Sequence, residues 1–243
     1  MRTTRVFVDM PLKTGAILSL PEDAAIHLVR VLRLQEGDTC VLFNGDGNDY
    51  PASLLVANKR GVDAQVGAPR PVDNESPLRI ALVQGIARGE KMDWILQKAT
   101  ELGVARIVPV VTDRTEVKLD AERAERRVAH WEAVVASACE QCGRSRLPAV
   151  SEPMKLADWA AALDDGAGLR LALDPNGDRA PRDLASNTRA TLVVGPEGGL
   201  SSHDLATLHA AGFHGLRLGP RILRTETAGL AALAAMQAIL GDL

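Results

Sequence analysis

Hydrophobic and polar positions follow two different rhythms along this chain. Up to residue 67 the apolar residues come in short runs broken by turn-formers. This predicts strands at Arg5–Asp9, Ala16–Leu20, Thr39–Phe43 and Tyr50–Ala57, with Asn44-Gly-Asp-Gly-Asn48 as a turn. A short amphipathic stretch, Pro21–Leu32, predicts a helix between the second and third of these. Short strands closely spaced by turns imply a small β-barrel or compact sheet. Ala68-Pro-Arg-Pro-Val-Asp-Asn-Glu-Ser-Pro77 carries three prolines and a polar second half, and reads as a linker.

Beyond it the rhythm changes to strand–helix alternation. Strands are predicted at Leu78–Gln84, Arg106–Val111, Leu169–Leu173, Thr191–Val194 and Gly215–Leu218. Helices are predicted at Lys91–Leu102, Asp120–Cys142, Leu156–Leu163, Ser202–Ala211 and Thr225–Leu240. Alternation of this kind means an α/β domain, a mostly parallel sheet covered by helices. The expected division is residues 1–72 and 73–243. The last helix is apolar or small on nearly every face, where a surface helix would carry a polar stripe. Burial within one chain and packing on a second subunit both satisfy it; for a domain of this size a homodimer is the favoured reading.

Composition narrows the function classes. Net charge is −3 and aromatic residues are 3% of the 243, so stacking platforms for single-stranded nucleic acid are scarce. Residues 1–72 hold eight Lys/Arg against eight Asp/Glu, so any nucleic-acid contact must come from local arginines rather than a global field. Three cysteines, Cys40, Cys139 and Cys142, and no apolar leader core imply a reducing compartment and a cytoplasmic protein. The longest apolar run, Ala228 to Leu240, is interrupted by Gln237 and too short to span a bilayer, so no membrane is expected. Cys139-Glu-Gln-Cys142 lacks a second Cys/His pair at ligand spacing, so no metal is expected either.

The candidate chemistry lies near the end. Leu192-Val-Val-Gly-Pro-Glu-Gly-Gly-Leu-Ser201 and Leu218-Gly-Pro-Arg-Ile-Leu-Arg-Thr-Glu-Thr-Ala228 are each an apolar strand running into a Gly/Pro loop and then a helix start. Loops at the carboxyl ends of parallel strands are where small ligands sit. Two together, with Glu197, Arg221, Arg224 and Glu226 among them, imply a pocket rather than turns alone. Neither the Gly-x-Gly-x-x-Gly nor the Gly-x-x-x-x-Gly-Lys-Ser/Thr phosphate signature occurs, which excludes a generic nucleotide-binding protein.

Taken in order, these segments resemble the RsmE family, S-adenosylmethionine-dependent methyltransferases of the SPOUT class that modify N3 of a uridine in 16S ribosomal RNA. The resemblance rests first on Arg5-Val-Phe7, on His27-Leu-Val-Arg-Val-Leu-Arg-Leu34 with Gly37-Asp38, and on Phe43-Asn-Gly-Asp-Gly47 with Tyr50. It continues through Lys91, Gln97-Lys-Ala-Thr-Glu-Leu-Gly-Val104, Pro109, Trp131, Glu140-Gln141, Arg144 and Pro148 to the two C-terminal loops. It implies a small N-terminal PUA-like β-barrel, a SPOUT-type α/β domain with a trefoil knot, a homodimer, S-adenosyl-L-methionine as cofactor, and 16S rRNA in the small ribosomal subunit as partner. The chain departs from the family at Asp204, where a glutamate is usual, and at Ala129-His130, where the family has Glu-Arg. The shorter Asp204 is expected to reach back less well to a helix start at Ser201.

The resemblance also assigns roles. Cofactor contacts fall on Leu173, Gly195, Glu197, Gly198, Gly199, Leu218, Gly219, Ile222, Leu223 and Thr225. Catalytic candidates are Arg224, Glu197 and Arg144. Uridine N3–H is a weak acid, so a carboxylate such as Glu197 could act as base, or it could brace loop amides instead. Arg224 could stabilise negative charge on the uracil oxygens, or pair with Glu226 or Glu197. RNA contacts fall on Arg5, Arg30, Arg33, Arg144 and Arg146, for which solvated surface arginines are the alternative. Two rival functions stay open: the same chemistry on another RNA, and an RNA-binding assembly factor without turnover.

Overall fold

The computed structural model describes residues 4–58, 61–117, 121–164, 166 and 168–243. The chain divides into two compact units, Met1–Glu75 with Ala136–Leu147, and Ser76–Val135 with Pro148–Leu243.

The first unit is a sheet of β1 (Arg5–Phe7), β2 (Ile17–Ser19), β3 (Thr39–Phe43), β4 (Asn48–Asn58), β5 (Gly61–Val66) and β6 (Arg70–Pro71). Its order is β1-β3-β4-β5-β2, with β6 beside β4 and only the β1–β3 pair parallel. Period-two alternation buries Cys40, Leu42, Tyr50, Ala52, Leu54, Val62, Ala64 and Val66 on one core. Gly61–Val66 alternates in the same way, with Asp63 and Gln65 between the buried Val62, Ala64 and Val66, yet it is not among the predicted strands; as β5 it pairs on both sides, with β4 and β2. The expected helix at Pro21–Leu32 is α1 (Glu22–Ile26) running into one π-helical turn, His27–Val31. The amide of Leu32 donates to the His27 carbonyl, and Arg33 then turns the chain with a φ of 57°. This sends Leu28 into the core and leaves Arg30, Val31 and Arg33 exposed.

The second unit holds β7 (Arg79–Gly85), α2 (Glu90–Glu101), β8 (Arg106–Val111), β9 (Ala149–Val150), β10 (Met154–Lys155), α4 (Leu156–Ala161), β11 (Leu169–Leu173), β12 (Arg189–Val194), α5 (Ser202–Ala210), β13 (His214–Leu216) and α6 (Thr225–Leu240). The long helix α3 (Ala121–Cys142) is shared: its residues through Val135 fall in this unit and those from Ala136 in the first. Asp120, where the pattern begins this helix, lies outside the described residues. Every strand pair is parallel, in the order β10-β8-β7-β12-β11-β13 with β9 beside β8. One face buries Val83, Val108, Val110, Ala172 and Val193 against Leu156, Leu208 and Phe213, with Trp159 packed alongside. The other face carries α6, whose Gly229 faces Val194 and Gln84, and α2 lies beside α6.

Gln237, the polar interruption in the last apolar run, is fully buried. It accepts from Ser76 Oγ at 2.7 Å and donates to the Leu102 carbonyl at 3.0 Å. Among the described residues no helix is long and apolar enough to cross a membrane.

Candidate cofactor site at the carboxyl edge of the sheet

Parallel strands bring their carboxyl ends to one edge. There the loops after β11, β12 and β13 surround a cavity of about 400 Å³. Leu173, Gly195, Glu197, Gly198, Gly199, Leu218, Gly219, Ile222, Leu223 and Thr225 all line it. Arg114, Asp174 and Asn176 line it too, and no sequence motif singled them out.

Gly195 explains why this loop needs glycine. A Cβ there would stand 2.6 Å from the Gly199 carbonyl carbon and 2.7 Å from the Leu200 amide, both backbone atoms with no room to yield. Gly219 sits at a φ of 78°, a conformation that side-chain-bearing residues avoid. The start of α6 is tied to this loop, since Thr225 Oγ1 donates to the Gly195 carbonyl and accepts from Gln84 Nε2 at 3.1 Å. At the start of α5 the Asp204 amide donates to Ser201 Oγ and the Ser201 amide to Asp204 Oδ2, each at 2.9 Å. The shorter aspartate therefore closes a complete capping box, correcting the expectation of a weak one.

The loop is also clamped from neighbouring strands. Arg114 Nη1 donates to the Gly198 carbonyl at 2.8 Å, and Ser201 Oγ donates to Asp113 at 2.6 Å. Glu197 accepts from the Arg88 amide and from Lys91 Nζ, both at 3.1 Å. Partial burial pushes its carboxyl up, but the Arg88 amide, its own amide and the Lys91 ammonium outweigh this and hold it below the usual carboxylate range. A carboxylate so engaged is a weak base. Arg224 stands exposed at the N-cap of α6, and among the described residues it pairs with neither Glu197 nor Glu226. One Glu226 carboxylate oxygen is buried without a partner among those residues.

The arginines of the first unit separate into two groups. Arg5 is ion-paired to Asp49, donates to Ser145 Oγ at 2.9 Å and to the Arg144 carbonyl at 3.0 Å, and lies 4.8 Å over the Phe43 ring. Arg144, with its side chain 6% exposed, grips Glu75 through Nη2 at 2.6 Å and Nε at 3.0 Å. Either would have to abandon these partners to reach a phosphate, so both serve the interior of the unit. Arg30, Arg33 and Arg146 are exposed. His130 Nε2 meets Asp93 at 3.0 Å, so the family's departure there still forms a pair. Among the described residues, no three His, Cys, Asp or Glu side chains are grouped to hold a metal ion.

Comparison with known proteins agrees with this layout. Residues 74–237 match an RNA methyltransferase domain and residues 20–67 an RNA methyltransferase PUA domain. Ribosomal RNA small subunit methyltransferase E of Buchnera aphidicola is 30% identical, over 100% of this chain and 98% of that protein. The Neisseria gonorrhoeae protein of that name, solved bound to S-adenosyl methionine, is 37% identical with a TM-score of 0.92, covering 100% of both chains. A Legionella pneumophila methyltransferase solved with the bound cofactor SAM is 38% identical with a TM-score of 0.96, again covering 100% of both. The parallel α/β unit is thus of the SPOUT methyltransferase type and the small sheet is PUA-like. The chain belongs to the ribosomal RNA small subunit methyltransferase E family.

Proposed function

We propose that this chain transfers a methyl group from S-adenosyl-L-methionine to N3 of a uridine in 16S rRNA of the small ribosomal subunit. The observation that carries the reading is the convergence of ten expected residues from three chain segments, Leu173, residues 195–199 and residues 218–225, on one cavity in a member of this family. The cavity fits an adenosyl group: glycines leave no side chain between ligand and backbone, while Leu173, Leu218, Ile222 and Leu223 offer apolar walls. When bound, the sulfonium supplies an electrophilic methyl carbon, to which N3 forms its bond as the carbon–sulfur bond breaks. The protein's part is to orient the acceptor, exclude water and accommodate the charge left when N3–H loses its proton.

Arg224, exposed beside the cavity wall formed by Leu223 and Thr225, is assigned to negative charge on the uracil oxygens. Glu197 is assigned to positioning, holding its loop through the Arg88 amide and Lys91. Arg30, Arg33 and Arg146 are assigned to RNA phosphates, and Arg5 and Arg144 to the frame of the first unit. The reading includes a trefoil knot in the second domain, the division at residues 72 and 73, a homodimer, a cytoplasmic setting and no metal.

The test is incubation with radiolabelled S-adenosylmethionine and undermethylated small subunits, followed by mass spectrometry of the labelled nucleoside. Label in N3-methyluridine is expected. Cofactor binding without label would mean another RNA substrate or a binding-only factor, and would overturn the assignment.

A further inference from the structure

Opposite the cofactor cavity, the sheet has an amino edge with a different character. A second cavity of about 530 Å³ is lined there by Arg79, Arg106, Arg170 and Arg189, each the first or second residue of its strand. Pairing register fixes their orientation. Arg189 pairs with Arg79, Arg106 with Ala81 and Arg170 with Thr191. Side chains two apart on a strand share a face, so all four guanidinium groups stand on one face of the sheet. It is the face whose carboxyl half is covered by α4 and α5 through Val83, Val108 and Val193. The amino half is left open over the small, half-buried side chains of Ala81 and Thr191.

The charge is unbalanced. Asp164 is the one carboxylate among the described lining residues, and Arg170 donates to its backbone carbonyl, not to its carboxylate. Arg170 is further held by the Ala211 carbonyl at 2.9 Å, and Arg106 by Ser151 Oγ at 2.9 Å. Arg79 and Arg189 are exposed and meet no side-chain partner among the described residues. Two guanidiniums braced by neutral acceptors and two held free, on a chain of net charge −3, have no internal use for so much positive charge. Guanidinium forks match phosphate oxygens, and a row of them suits a polyanion rather than one small ion.

We infer that this amino-edge arginine cluster is a second RNA contact, gripping phosphodiesters of the substrate RNA about 20 Å from the reacting uridine, a seven-residue strand length away. The inference rests on the RNA methyltransferase reading and extends it, because it places RNA on both edges of one sheet. Such a contact adds affinity and salt dependence without base specificity.

The experiment compares the wild-type chain with the double variant Arg79→Glu/Arg189→Glu. Binding to undermethylated small subunits is measured at several salt concentrations, S-adenosylmethionine binding by calorimetry, and methyl transfer separately. The variant is expected to lose RNA affinity by roughly tenfold or more, and to lower the salt slope by roughly 1.5, as two lost phosphate contacts require. Its cofactor affinity should equal wild type, which reports an intact fold. Unchanged RNA affinity and slope in a variant that still binds cofactor would overturn the inference while leaving the methyltransferase reading standing. Titration with inorganic pyrophosphate separates the other source of anions: saturable binding lost in the variant, with RNA affinity unchanged, would assign the cluster to a small ligand instead. A wild-type chain that neither binds nor methylates the subunits would overturn both readings.

Discussion

Gly195 shows what one residue decides. Its missing side chain lets the loop after β12 fold back on Gly199, and Gly195→Ala would drive a methyl group into backbone. Overpacking of this kind costs about 1–3 kcal/mol, and the strain falls on the cavity wall. G195A is therefore expected to lower the melting temperature and to weaken S-adenosylmethionine binding by tenfold or more, about 1.4 kcal/mol, in calorimetry. Glu197 makes a different prediction. Its carboxyl is held below the ordinary value of 4.5, so its stabilising contacts are complete above that pH and are lost as the pH falls through the lower folded value. From about pH 6 to about pH 9 it has no proton to exchange, so Glu197→Gln should leave the shape of the kcat–pH profile unchanged there. A profile that loses an inflection in that range on E197Q would restore Glu197 as the base. The glycines were legible because a loop motif is local in sequence. The contacts of Arg114 and Lys91 were not legible because Arg114 comes from the loop after β8 and Lys91 from the first turn of α2, and only the parallel register brings them to Gly198 and Glu197.

At the scale of elements, period and caps were the legible signals. β3, β8, β11 and α6 coincide with the expected spans, since each is a strong apolar run ended by turn or helix-start residues. The π turn at His27–Val31 was not legible, because the seat of Leu28 determines it rather than local propensity; β5 is a different case, a strand missing from the predicted set although Val62, Ala64 and Val66 alternate with polar residues in the sequence. The polar interruption in α6 was visible as a letter but not as a function. Gln237 joins α6 to both Ser76, before β7, and Leu102, at the end of α2. Gln237→Leu keeps the volume but leaves the buried Ser76 hydroxyl and Leu102 carbonyl without this partner, so a loss of about 1–3 kcal/mol in urea unfolding is expected. A neutral result would mean these groups find other partners.

At the scale of the whole molecule, the alternation of strands and helices announces a parallel sheet, yet it says nothing of which faces meet another subunit. For the proposed homodimer, α6 offers a candidate face once its buried side is known. Gly229, Ala232, Leu233, Met236 and Gln237 face inward, leaving Thr227, Ala231, Ala234 and Ala238 along the opposite side. A helix facing only solvent would carry charges there. A row of small, uncharged residues instead allows another backbone to approach closely, as the self-complementary seam of a two-fold dimer requires. In the proposed homodimer this row is the seam, and Ala234 lies near its middle. Ala234→Glu on a solvent face would change stability by no more than about 0.5 kcal/mol and leave the oligomeric state alone. On a dimer seam it would bury a charge against its symmetry mate, and sedimentation should then show a monomer at concentrations where the wild-type chain is a dimer. A dimer that survives the substitution unchanged would move the seam off α6 and return that helix to burial within a single chain.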